Sequence, residues 1–188
     1  MKDYFPNVSL DVWEKASQIK LLITDVDGVM TDGGVIYDDN QLEYKRFQVK
    51  DGQIIKYLKQ NGIKVGAITG RDSLVVKNRF DELKFDFHLH GVKEKYNVFY
   101  EQINKMGLTI KECAYIGDDI IDLPILMNVG LSAAPADAMS YIVDKVDFVS
   151  SYKGGDGAFR EVADIILQSQ GKLKGIIEEL AIIRYEKN

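Results

Sequence analysis

The stretch Ile19-Lys20-Leu21-Leu22-Ile23-Thr24-Asp25-Val26-Asp27-Gly28-Val29 decides the fold. Its apolar first half reads as a buried strand, and that strand stops in Asp-x-Asp-Gly. Such an ending aims Asp25 and Asp27 out of the carboxyl edge of a sheet, and Gly28 lets the backbone turn sharply behind them. Two acids in that place suit a divalent cation and a phosphate.

Outward from this strand, short apolar runs alternate with helical periodicity. Strands are predicted at 20–25, 64–69, 87–90, 112–116, 129–133 and 148–149, and helices at 52–61, 73–83, 94–106, 120–128, 138–143 and 158–170. Residues 1–18 read as an amphipathic lead-in, with Leu10, Trp13 and Ala16 at helical spacing behind a Ser9 cap. The order predicts an α/β protein: a three-layer α/β/α, Rossmann-like core with a mainly parallel sheet and ligands at the strands' carboxyl ends. One segment breaks the alternation. Residues of about 33–48 hold two alternating runs around the polar turn Asp38-Asp39-Asn40, a β-hairpin inserted beside the site. No other insertion is large enough to form a cap, so 1–188 reads as one domain. The tail, about 171–188, carries Ile176, Ile177, Leu180 and Ile183 at helical spacing, an apolar stripe for which a neighbouring subunit is the expected cover.

Composition narrows the function classes. A chain of 188 residues buries roughly 70% of its unfolded surface, enough for a sizeable core. The content is 46% hydrophobic and 28% charged, with three prolines, and no run is long and apolar enough to span a membrane. A single cysteine, Cys113, excludes an internal disulfide, and Met1 to Asn7 lack the layout of a secretory signal; a cytoplasmic location is expected. The net charge of -5 argues against a nucleic-acid binder, which needs a basic face.

Further polar groups fall at other strand ends: Thr69-Gly70-Arg71, Lys93-Glu94-Lys95 and Gly117-Asp118-Asp119-Ile120-Ile121-Asp122. In a parallel sheet these edges converge, so Asp25, Asp27, Thr69, Lys95, Asp118 and Asp122 are expected to share one cavity. A calcium loop, which also begins Asp-x-Asp, is excluded because its twelfth position would be Ile36 rather than glutamate. His88 and His90 supply two same-face nitrogens and no third ligand, so they read as packing groups, and Cys113 reads as a small buried hydrophobe.

With these motifs in order, the chain resembles a haloacid dehalogenase superfamily phosphatase. Within that superfamily it is most similar to the small capless 3-deoxy-D-manno-octulosonate 8-phosphate phosphatases, through Thr31-Asp32-Gly33, Phe47-x-Val49-x-Asp51-Gly52, Ile68-Thr69-Gly70-Arg71, Gly117-Asp118-Asp119 and Gly154-Gly155-Asp156-Gly157-Ala158-x-Arg160-Glu161. The resemblance implies that Asp25 is the nucleophile, forming an aspartyl phosphate, and Asp27 the general acid and base. It implies a magnesium ion held by the Asp25 carboxylate, the Asp27 carbonyl and Asp118. It makes Thr69 and Lys95 partners of the phosphoryl oxygens, Lys95 in preference to Lys93. Asp122 would orient Lys95 or a metal water, with Asp119 beside it. Sugar contacts carried over by the same resemblance are Gln48, Val49, Lys50, Asp51, Gly52, Lys56, Lys95, Arg71 and Arg79. The last two lie eight residues apart and are expected on one side of a helix. By the same resemblance Arg160 would be a further contact to substrate or to a neighbouring chain.

The pattern departs from the family at Gln48, where Asn or His is commoner, and at Lys50 and Lys56, where Arg is frequent. Lysine lacks arginine's forked donor pair, which bears on the choice of sugar. The implied activity is magnesium-dependent hydrolysis of 3-deoxy-D-manno-octulosonate 8-phosphate in lipopolysaccharide precursor synthesis, by a homotetramer whose neighbours cover each mouth. The alternatives are the nine-carbon 2-keto-3-deoxynononate 9-phosphate, a phosphomutase or phosphotransferase, and a silent scaffold subunit that keeps the fold.

Overall fold

The computed structural model describes residues 4–182. Helix α1 (Leu10–Ser17) leads into strand β1 (Leu21–Thr24), followed by the short strands β2 (Ile36–Tyr37) and β3 (Glu43–Tyr44) of the hairpin. Then come α2 (Val49–Gln60), β4 (Lys64–Ile68), α3 (Leu74–Leu83), β5 (Phe87–Leu89), α4 (Lys95–Lys105), β6 (Cys113–Ile116), α5 (Leu123–Leu126) and β7 (Leu131–Ala134). The chain continues through α6 (Ser140–Val143), β8 (Phe148–Val149), α7 (Ala158–Ser169) and α8 (Leu173–Ile182).

The six-stranded sheet runs β5-β4-β1-β6-β7-β8, and every pairing in it is parallel. The chain winds outward from β1 in one direction and then, from β6, in the other. That reversal makes the crevice beyond β1 and β6 the place where loops part and a ligand fits. Alternation across the sheet sorts the core into two layers. Leu22 and Val26 pack with α1, α2 and α7 residues such as Val12, Ile55 and Ile166. Leu21 and Ile23 pack on the other face with Phe99, Ile103 and Tyr115. All four residues of β1 are buried, as a central parallel strand requires.

Three local expectations are corrected. Helix α1 starts behind Ser9, whose Oγ accepts from the Val12 amide at 3.3 Å; Ala16 is buried and Trp13 packs on the core as expected, but Val12 takes the place of Leu10, which is turned to solvent. An i, i+4 pair next to the cap wins over the residue at the first position. The helix predicted at 120–128 is a 3₁₀ turn, Ile120–Asp122, continued by the short α5. Arg71 precedes α3, whose cap is Ser73, so Arg71 and Arg79 do not share a helix. In the tail, Ile176 packs on the core while Ile177, Leu180 and Ile182 of α8 stay exposed; Ile183 lies outside the described residues.

Candidate active site

β1 ends at Thr24, and the next amide, that of Asp25, still donates to the Ile116 carbonyl of β6 at 2.9 Å. The sheet therefore carries Asp25 to the switch point while its side chain keeps the parity of Leu21 and Ile23, toward α4. Lys95, the first residue of α4, meets it there: Nζ lies 2.7 Å from Asp25 Oδ1 and 2.8 Å from Asp122 Oδ1. Lys95 is 1% exposed, Asp122 0% and Asp25 4%. Lys93 stays exposed, so of the two lysines it is Lys95 that reaches the acidic cluster.

Asp122 spends both oxygens. Oδ1 also accepts from the Tyr115 hydroxyl at 2.7 Å, and Oδ2 accepts from the Asp118 and Asp119 amides at 3.2 and 3.4 Å. It thus fixes Lys95 and the Gly117-Asp118-Asp119 turn together. Gly117 is required here, because a Cβ would lie 2.5 Å from the Asp122 side chain. Tyr115 was not foreseen as part of the site. Its signal was available: a hydroxyl in an otherwise apolar buried strand must find a partner. The Asp119 side chain caps the following turn, accepting from the Ile120 amide and the Tyr141 hydroxyl.

Carboxylate oxygens of Asp25, Asp118 and Asp122 lie within 4.8 Å of one another. Burial, then repulsion from Asp122, pushes the Asp25 carboxyl up to about 7, against the pull of Lys95. Burial, followed by the charges of Asp25 and Asp122, pushes Asp118 up to about 8. Burial would lower the Lys95 ammonium, but the two carboxylates hold it above its ordinary value. The cluster is short of positive charge. Asp118 Oδ1 is buried with no hydrogen-bond partner. Gly28, at φ +93°, keeps clear a space that a Cβ would fill at 2.1 Å from Asp118 Oδ2. An all-oxygen donor set with an orphaned carboxylate oxygen fits a hard divalent cation, with Asp25 and Asp118 free to hold it.

Asp27 follows on the outer side, less buried than Asp25. Its Oδ1 pairs with the Lys45 ammonium of the hairpin, and its Oδ2 lies 3.7 Å from Arg71 Nε. Arg71 in turn donates to Glu43 at 3.2 Å and to the Tyr37 hydroxyl at 2.9 Å, while the Ser73 hydroxyl donates to Glu43 at 2.6 Å. These bonds dock the hairpin on the rim of the site. Glu43 and Lys45 were also missed, although alternating opposite charges on a strand beside a site are a legible sign of such docking. Thr69, 3% exposed, sits at the end of β4 with Oγ1 accepting from the Arg71 amide at 3.2 Å.

The expected sugar contacts divide. Gln48 caps α2, and Val49 and Lys50 are exposed at its first turn. Lys50 lines a cavity of about 180 Å³ with Tyr152, Asp156 and Arg160. The next two residues turn inward. Asp51 is fully buried, and its Oδ1 accepts from the Arg160 amide at 2.8 Å, capping α7 from outside. Gly52 is where α3 crosses α2: a Cβ would come within 2.7 Å of Arg79 and 2.9 Å of Leu83. Arg79 pairs with Glu82 at 2.8 Å. Lys56 is exposed further along α2 and lines a cleft with Gly175, Ile176 and Leu180 near α8. Within this chain these four residues occupy a capping position, a helix crossing and the surface.

His88 and His90 hydrogen-bond to each other at 2.8 Å, and His88 bonds Asp81 at 3.0 Å, a packing role as read from the sequence. Burial pushes the Cys113 thiol up to about 12, so it is inert.

The profile of the family described as haloacid dehalogenase-like hydrolase matches residues 37–130. The 3-deoxy-D-manno-octulosonate 8-phosphate phosphatase KdsC of Haemophilus influenzae is 45% identical over 159 residues, 85% of this chain and 88% of that one. The crystal structure of the corresponding phosphatase from Yersinia pestis superposes with a TM-score of 0.88 at 41% identity, covering 89% of this chain and 91% of that one. The Moraxella catarrhalis phosphatase, in complex with a magnesium ion, a phosphate ion and KDO, gives 0.88 at 35% identity over 90% of this chain and 98% of that one. Sheet order, the acidic switch-point cluster and these similarities agree: the chain belongs to the 3-deoxy-D-manno-octulosonate 8-phosphate phosphatase family of haloacid dehalogenase-like hydrolases.

Proposed function

We propose that this chain hydrolyses 3-deoxy-D-manno-octulosonate 8-phosphate to the free sugar acid and inorganic phosphate. The observation that carries the reading is the buried Asp25 at the switch point, with Lys95 at 2.7 Å and Asp118 beside it. Asp25 attacks phosphorus in line, the bond from phosphorus to the sugar oxygen breaks, and an aspartyl phosphate forms. Asp27 gives its proton to the departing sugar oxygen. It then takes one from the water that attacks phosphorus, releasing phosphate and restoring Asp25. Lys95 and the Thr69 hydroxyl hold the phosphoryl oxygens, each such donor being worth about 3 to 4 kcal/mol in the transition state. A magnesium ion held by Asp25, Asp118 and the Asp27 carbonyl supplies positive charge that offsets repulsion between carboxylate and phosphate ester.

Arg71, at the rim, with Gln48, Val49 and Lys50, faces the sugar acid. Covering the mouth falls to other subunits of a homotetramer. In support, the hairpin exposes Ile36, Tyr37, Leu42 and Tyr44, and α8 exposes Ile177 and Leu180. The enzyme serves lipopolysaccharide precursor synthesis in the cytoplasm. The test is phosphate release from the eight-carbon ester beside its nine-carbon analogue, with and without magnesium. Turnover abolished by EDTA and by Asp25→Asn is expected. Equal or better turnover of the nine-carbon ester would reassign the substrate, and phosphate transfer without release would reassign the reaction.

A further inference from the structure

The loop between β8 and α7 is pinned at several points along its length. At its start the Ser150 hydroxyl and the Ser151 amide donate to Glu161 at 2.6 and 2.8 Å. In its middle the Gly154 amide donates to Asp137 at 2.9 Å. At its end Asp51 reaches across from α2, and its Oδ1 accepts from the Arg160 amide at 2.8 Å. Its Oδ2 is buried without a partner, so Asp51 faces the helix start and no solvent.

What the pinned loop presses on is the turn after β1. The Gly155 amide donates to the Val29 carbonyl at 2.9 Å. A Cβ on Gly154 would lie 1.8 Å from the Gly28 carbonyl oxygen, and one on Gly155 would lie 2.5 Å from the Asp32 amide. Backbone meets backbone with no side chain between them, so neither can shift alone. Gly28 meets Asp118 on its other side with the same closeness. A continuous run of contacts without slack therefore joins Asp51, the glycine loop, Gly28 and Asp118.

We propose that Asp51 is a positioning residue: by capping α7 across the interior it holds the Gly154–Gly157 loop against Gly28, and so sets the spacing of Asp25, Gly28 and Asp118 that a divalent cation needs. The proposal rests on reading that cluster as the cation and phosphoryl site. Asp51 touches no reacting atom. Its influence travels through rigid backbone contacts, as partners behind metal ligands do, where substitution typically costs about 10- to 100-fold in affinity.

The test is magnesium binding to the whole chain by calorimetry, together with hydrogen exchange at the Gly155 amide and kcat and KM on the sugar phosphate. Asp51→Ala is expected to weaken magnesium about 10-fold or more, speed Gly155 exchange and lower kcat with KM nearly unchanged. Asp51→Asn keeps an oxygen acceptor toward the Arg160 amide and is expected to restore most of the binding. Gly154→Ala lifts the loop without touching Asp51 and is expected to weaken magnesium as Asp51→Ala does. It also keeps the proposal testable where Asp51→Ala does not fold. Wild-type magnesium affinity in Gly154→Ala, or in a folded Asp51→Ala protein, would overturn the proposal. If the wild type binds magnesium, loses it in both variants and yet releases no phosphate, the positioning role stands and the assigned activity falls.

Discussion

Replacing Asp118 by asparagine should make the metal-free protein more stable while destroying its activity. In the folded chain Asp118 lies with Asp25 and Asp122 inside 4.8 Å, where a pair of like charges repels by about 3.5 kcal/mol at an effective dielectric constant near 20. The raised carboxyl gives a second measure: a shift from 3.8 to about 8 corresponds to an upper bound of about 6 kcal/mol at about 1.4 kcal/mol per unit. Lys95 and adjustment of the cluster offset part of this, so a gain of about 2 to 3 kcal/mol is expected at pH 8.5. For a chain of this size that raises Tm by about 6 °C.

The sign follows from linkage. Asp118 and Asp25 both titrate higher in the folded state than in the unfolded chain. The folded state therefore binds more protons between about pH 4 and pH 8, and stability falls as pH rises through that window. The advantage of Asp118→Asn should accordingly be largest at pH 8.5, fall by more than half at pH 5.5, and vanish near pH 4. Magnesium should reverse the order, since a cation at 100 times its Kd adds about 2.7 kcal/mol to the protein that binds it. The assay is thermal unfolding by circular dichroism at these pH values, in EDTA and in magnesium. A lower Tm for the variant in EDTA at pH 8.5, or an equal gain at both ends of the range, would refute the reasoning.

Lys95→Met leaves Asp25 and Asp122 without their shared cation, and breaking a buried pair costs about 3 to 5 kcal/mol; urea unfolding at pH 7.5 should show that loss, and phosphate release should drop at least 100-fold. Tyr115→Phe removes one donor to the Asp122 carboxylate, worth about 1.5 to 3 kcal/mol, and should cost stability with a smaller fall in kcat than Lys95→Met; unchanged stability would mean that Asp122 finds another donor. Gly28→Ala places a methyl 2.1 Å from Asp118 Oδ2 at a backbone φ of +93°, so the rise in Tm on adding magnesium should disappear, and a wild-type rise would show that the cation sits elsewhere.

Much of the arrangement was legible in the chain because it is local. The run into Asp25 is apolar without alternation, as a strand buried on both faces must be, and the alternation of strands and helices predicted parallel pairing. The convergence of the β1, β4 and β6 edges followed from that pairing. Less was legible where a residue's task depends on what crosses it. Asp51 and Gly52 lie in a motif that resembles a substrate segment, yet the crossing of α2 by α3 and the start of α7 turned both inward. Tyr115 looked like one more apolar strand residue until the turn after β6 brought Asp122 over its hydroxyl.

By itself, then, the sequence determined that a strand ends in two acids, that strands and helices alternate, and that the edges carry Thr69, Lys95 and Asp118. Spacing along the chain sets which face of an element a residue occupies, and for those features that is sufficient. Only the tertiary structure decided the partners: Lys95 between Asp25 and Asp122, the hairpin's Lys45 on Asp27, and Asp51 beneath α7. Those pairings join residues up to 109 positions apart. Their geometry is set by the winding of crossovers about β1 and the close packing of glycine backbones, which no periodicity records.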